Sequence, residues 1–304
     1  MHYTNDSHNT IRHLLHVAGV HFWTASILPA LVGTFLPFWL NPPGFTFRWL
    51  NALAFVGATI LFHSGFSCLQ SWINSEVHKR SKMILTTAIA SLVVGCIIGL
   101  VLNAGLSLHD GVYNGIFVLY GLAALFVGVL YVVPPLCFAR RLGGEVVLAQ
   151  GLGLIPLLGA YLVQVGDITR TVYLASMPIV VATGVWIWVD ELVTRNDDET
   201  FGRNTMVRLF PYRFSRRYGT LILILACYLS LAAAIIVQRS LPVWSLFTLL
   251  SFWPAGALVL TCWREPIIET AANRLQSNAI GMHILLCFGI LISIVIAHAT
   301  GYRR

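Results

Sequence analysis

Almost from end to end the chain repeats one pattern: a stretch of about 20 mostly apolar residues, long enough to cross a bilayer as a helix, closed by a short polar segment. The repeats fall at 19–41, 49–70, 83–104, 114–136, 146–166, 171–194, 219–238, 242–262 and 279–299. This predicts an all-α membrane protein, a bundle of about nine transmembrane helices. Composition agrees: 10% of the 304 residues are charged, against roughly 25% in a soluble domain. The longest polar stretch, 195–218, is too short to bury a core of its own. The reading is therefore a single integral-membrane domain over 1–304, with inner loops at 70–82, 137–145, 195–218 and 263–278. The first span is too long for a removable signal peptide.

Orientation follows from the cations. Fourteen of the 19 Lys and Arg residues fall on one set of alternate loops, and the positive-inside rule makes that set cytoplasmic. The N-terminus is then inside, as in a bacterial-type cytoplasmic membrane. The formal net charge of +7 is juxtamembrane charge suited to anionic lipid, and nucleic acid is excluded as a partner. The six cysteines stand singly, without a CxxC pair, so neither a disulfide framework nor a zinc site is indicated.

Acidic residues do not follow the positive-inside rule, yet ten of the 12 lie on the inner side. Three inner loops collect the polar chemistry. In the first, Gln70, Asn74 and His78 repeat at i, i+4 and i+8 on one helical face, followed by Lys79, Arg80 and Lys82. They suit a polar headgroup or a cation, or simply a basic helix end. The second runs from Tyr131 through Pro134-Pro135, Arg140-Arg141 and Gly143-Gly144 to Glu145. It reads as a membrane turn in which Arg141 can pair with Glu145. The third places Asp190, Glu191, Asp197, Asp198 and Glu199 within ten residues, with Asp190, Thr194 and Asp198 on one face. So many carboxylates repel one another unless a cation is near, and hard oxygen ligands suit Mg²⁺ bridging to a phosphate. His63 and Ser64 in the second span are expected to have hydrogen-bonded neighbours, and His283 and His298 to be packing or interfacial residues.

Taken together the loops resemble the UbiA superfamily of membrane prenyltransferases. Val193-Thr194-Arg195-Asn196-Asp197-Asp198, followed by Gly202-Arg203-Asn204-Thr205, is similar to that family's second Asp-rich motif. The Tyr131–Glu145 block resembles its Tyr-x-x-Pro-Pro…Gly-Glu segment. Together with Arg12 and Pro29-Ala30-Leu31-Val32-Gly33-Thr34, it is most like the dihydroxynaphthoate branch that serves menaquinone biosynthesis. The resemblance implies nine helices, prenyl diphosphate and a lipid-soluble, possibly aromatic acceptor as partners, membrane lipid around them, and Mg²⁺ as cofactor. It assigns Asp198, Asp190 and Asn74 to catalysis. Asp198, Asp190 and Glu191 would hold the metal, and Gln70, His78, Lys79, Arg80, Lys82, Tyr131, Arg141 and Arg203 would bind substrate.

The departures lie in the first motif, where the family carries three aspartates. Here the positions read Gln70, Ser71, Asn74 and His78, and Thr194 replaces the first aspartate of the second motif. One metal position is therefore expected to be weakened or lost. Three functions stay open: a divergent prenyltransferase, the same fold performing prenyl cyclisation or a metal-poor reaction, and a non-catalytic isoprenoid-binding or accessory protein.

Overall fold

The computed structural model describes residues 14–15, 17–75, 81–110, 114–200, 203–264 and 269–302. The side chains of His21, 107–110, Asn114, 196–200 and Glu269 are left out of the description. Among the described residues the protein is all helix. Nine apolar helices follow one another: α1 Thr24–Leu40, α2 Trp49–Asn74, α3 Lys82–Asp110, α4 Asn114–Val132 and α5 Gly144–Val165. They continue with α6 Arg170–Thr200, α7 Tyr212–Val237, α8 Val243–Trp263 and α9 Glu269–Ala299. Eight are long and apolar enough to cross a membrane, and α1 is shorter. The chain is a multi-pass membrane protein. The first span begins later than the hydropathy suggests because Gly19, at φ +69°, breaks the chain ahead of it. That break brings the backbone so close to α2 that a Cβ at Gly19 would stand 2.8 Å from Ser67 Oγ.

Burial is unequal around the bundle. Helix α6 is the most enclosed, and α3 and α4 present most of their surface outward. The core joins α1, α6 and α9 through Leu28, Val32, Leu36, Ile179, Val185, Trp186, Met282, Leu286 and Ile290. In lipid such packing rests on close fit and interhelical hydrogen bonds rather than on escape from water. Small residues supply the fit: at Gly33 the α1 backbone lies against the Leu157 carbonyl of α5, leaving no room for a Cβ. Gln164, 3% exposed, ties the α1–α2 connection to α5. It accepts from the Arg48 amide at 3.0 Å and donates to the Arg48 carbonyl at 3.1 Å. His63 and Ser64 have the expected neighbours in Ser26 (2.8 Å) and Trp23 (3.0 Å). His283 is fully buried against Trp186, and His298 packs on Phe38.

Helix α5 is irregular where it matters. Pro156 has no N–H, and its ring crowds the carbonyl four residues earlier; the preceding turn, Gln150–Leu154, widens into a π-helical bulge. Such bulges recur at functional sites, and Gly151 and Leu152 within this one face the interior cavity.

Candidate functional site

A cavity of about 540 Å³ runs between α1, α2, α3, α4, α5 and α6. On α2 its wall is formed in steps of three and four by Phe55, Thr59, Phe62, His63, Phe66, Ser67 and Gln70, one face of a helix. From Phe55 to Gln70 that face extends for about 22 Å at 1.5 Å per residue. The phenylalanine rings are seated on glycines of the neighbouring helices: Phe62 on Gly95, Phe66 on Gly128 and Phe55 on Gly159. Around these rings the cavity is a mostly apolar slot. Midway the lining turns aromatic and polar, where Phe22 stacks on Trp186 with centroids 5.2 Å apart and Ser26, His63 and Thr183 face in.

The end of the cavity beside the α6 C-terminus carries the charge. Gln70 and Tyr131 come from α2 and α4, Asp190, Glu191 and Thr194 from the end of α6, and Arg203 from the segment beyond it. Asp190 Oδ1 accepts from Gln276 Nε2 of α9 at 3.0 Å, which fixes the carboxylate's orientation. Thr194 Oγ1 donates back to the Asp190 carbonyl at 3.0 Å. Oε2 of Glu191 is shielded from solvent. Carboxylates and a guanidinium thus converge at the mouth of an otherwise greasy channel.

A second, polar cavity of about 320 Å³ adjoins the first. It is lined by Ser71, Asn74, Ser75, Arg140 and Arg203, with Arg203 on the wall of both. Arg140 Nη2 donates to Asn74 Oδ1 at 2.7 Å. The second and third inner loops are stitched together beside it: Asn204 N donates to the Arg140 carbonyl at 3.0 Å, and Met206 N donates to Glu145 Oε1. Glu145 is buried, and its Oε2 has no partner among the described residues. Gly143, at φ +86°, makes the reversal that delivers Glu145 to this junction; the left-handed conformation suits glycine.

The residues read from sequence separate into those that converge and those that do not. Gln70, Tyr131, Asp190, Glu191 and Arg203 meet at the charged end of the main cavity, and Asn74 stands in the adjoining one. Asp198 is on α6, two turns beyond Asp190, but its side chain lies outside the described residues, as do His78, Lys79 and Arg80. Lys82, the exposed first residue of α3, lines neither cavity. Arg141 turns to the Pro135 carbonyl, 2.7 Å from its Nη2, and also lines neither; the anticipated pairing with Glu145 is replaced by the bond from Met206 N. Arg140, Gln276, Phe22 and Trp186 escaped the sequence reading. Arg140 was indistinguishable from its neighbour, and the others are brought in by helices far away in sequence.

The donor set can be weighed against Mg²⁺. On the α6 side Asp190 and Glu191 offer hard oxygen ligands at the cavity wall, which suits an ion also held by phosphate. No cluster of three or more His, Cys, Asp or Glu that would cage an ion by itself occurs among the described residues. On the α2 side the fit fails. Its polar residues Gln70 and Asn74 are amides, and Asn74 is already bonded to a cation.

The sequence matches no protein-family profile and no curated protein. Its fold is that of solved UbiA structures. The apo structure of a UbiA homolog from Aeropyrum pernix K1 superimposes with a TM-score of 0.62 at 16% identity, covering 90% of this chain and 98% of that one. A structure of digeranylgeranylglyceryl phosphate synthase gives a TM-score of 0.63 at 13% identity, covering 95% and 99%. Both align over nearly the whole bundle, which establishes the fold.

Proposed function

We propose that this protein is a membrane prenyltransferase, moving a polyprenyl group from its diphosphate to a lipid-soluble acceptor. Quinone-precursor-like aromatics are the first acceptors to try. One observation carries the reading: a mostly apolar slot, whose α2 wall runs for about 22 Å at 1.5 Å per helical residue, ends in two carboxylates and a guanidinium. That is the shape and polarity of an isoprenoid diphosphate. The two structural relatives support it, since one is a UbiA homolog and the other is a synthase of a prenylated glyceryl phosphate. The positive-inside rule puts the charged end at the cytoplasmic face.

In this reading the prenyl chain lies along Phe55, Phe62 and Phe66, with its diphosphate toward Gln70, Asp190 and Arg203. Asp190, Glu191 and Asp198 would hold Mg²⁺, which supplies neutralisation of the departing diphosphate. Arg203 donates charge-assisted hydrogen bonds to the phosphate oxygens, and Gln70 orients them. The C1–O bond breaks, and the allylic cation forms beside Phe22, Phe66 and Trp186, whose ring faces attract cations. The enclosing helices exclude the water that would otherwise quench it. The acceptor attacks C1, and its proton passes to the released diphosphate.

Mass spectrometry of lipid extracts tests this after incubation of the purified protein with prenyl diphosphates and candidate acceptors. A prenylated product that forms with Mg²⁺ and disappears in EDTA is expected; no product with any acceptor would overturn it. The amides at Gln70 and Asn74 favour a second reading, in which the cavity cyclises its prenyl substrate or binds it without conversion. A product lacking the acceptor identifies the first of these, and binding without product the second.

A further inference from the structure

We propose that the cavity lined by Ser71, Asn74, Ser75, Arg140 and Arg203 is a metal-free docking site for the terminal phosphate of the diphosphate, which guanidinium groups hold in place of a divalent ion. The inference rests on the prenyl diphosphate reading above and goes beyond it. Among the described residues no carboxylate lines this cavity, so these residues give a divalent ion no charged ligand to offset its dehydration. The amide oxygen it would need, Asn74 Oδ1, accepts instead from Arg140 Nη2 at 2.7 Å. A guanidinium is protonated at every physiological pH, so a dication at that oxygen would be repelled.

What the cavity offers is donors. With Oδ1 turned to Arg140, the Asn74 amide presents its two N–H groups. Ser71 adds a hydroxyl, and Arg140 and Arg203 add planar forks suited to phosphate oxygens. The Arg140 backbone is held by the Asn204 amide at 3.0 Å, so the third inner loop sets its position. Continuity names the occupant. Arg203 lines both cavities, so an anion here shares a guanidinium with the mouth of the prenyl slot. An isoprenoid diphosphate can place its chain in one cavity and its terminal phosphate in the other, whereas a phospholipid headgroup would enter without the slot.

Titration calorimetry of inorganic pyrophosphate into the full-length protein, in phosphatidylcholine nanodiscs with EDTA or with Mg²⁺, tests the site. Binding is expected to persist in EDTA. Arg140→Ala should weaken it at least tenfold there, and Arg140→Lys should restore part of it. Asn74→Asp should also weaken it, because the new carboxylate neutralises Arg140. Both side chains are exposed, and unchanged thermal unfolding of the variants confirms intact folding. Farnesyl diphosphate should displace pyrophosphate. Binding that strictly requires Mg²⁺, or that is unchanged in Arg140→Ala, overturns the proposal, as does displacement by phosphatidic acid but not by farnesyl diphosphate. Metal-free binding that depends on Arg140, in a protein that prenylates nothing, would uphold this site and overturn only the transferase reading.

Discussion

Replacing Asp190 by Asn removes one charge and almost nothing else. The side chain keeps its shape, and its amide oxygen can still accept from Gln276 Nε2, so the tie between α6 and α9 survives. What is lost is a carboxylate on the wall of the main cavity. A unit charge facing a cation at about 4 Å is worth about 4 kcal/mol at the effective dielectric of about 20 that describes partly enclosed protein sites. If most of that acts as the diphosphate leaves, turnover falls by about three orders of magnitude, at 1.36 kcal/mol per tenfold. The assay is the initial rate of prenylated product at saturating Mg²⁺, paired with thermal unfolding in the same detergent. The account predicts a collapse in rate, a raised Mg²⁺ requirement and an unchanged unfolding temperature. Turnover within tenfold of the unaltered protein, with the same Mg²⁺ dependence, would refute the role given to Asp190.

Three further outcomes follow from particular contacts. Glu145→Ala leaves the half-buried amide of Met206 without its acceptor, which costs about 1 kcal/mol; it should lower the unfolding temperature and the activity together, and Glu145→Gln should recover most of both. Gln164→Ala removes two hydrogen bonds that hold the Arg48 backbone. It should destabilise by about 1–3 kcal/mol and speed proteolysis of the 41–48 loop, with the preference among prenyl donors unchanged. Gly99 lines the cavity, and a Cβ there meets nothing within 4 Å. Gly99→Leu should therefore fold normally and shift turnover from long toward short prenyl diphosphates, as competition between donors of different length would show.

The architecture was readable because a bilayer leaves few alternatives: apolar runs of the right length become helices, and their number and order follow. Helix ends were less legible. The first span starts late because of Gly19, and α6 carries the acidic run to Thr200 as helix rather than loop. Half of the site was visible as local pattern, since Asp190 and Thr194 repeat on one face and Gln70 and Asn74 on another. The other half depends on long-range meetings that periodicity does not encode. Gln276 orients Asp190 from 86 positions away. Phe22 stacks on Trp186 across more than half of the chain. The choice between Arg140 and Arg141 turns on a reversal around Cys137, whose φ is +41°; a run of two arginines does not say which one faces the cavity.

The central claim is that one amphiphile spans this molecule with its charged head at Asp190 and Arg203 and its chain along Phe66 to Phe55. A structure determined with a non-hydrolysable farnesyl thiodiphosphate tests it most directly. The account predicts the thiodiphosphate between Gln70, Asp190, Arg203 and Arg140, and the farnesyl chain in the slot beneath it. A ligand lodged elsewhere on the bundle, or lying in the slot with its head toward Phe55, would contradict it.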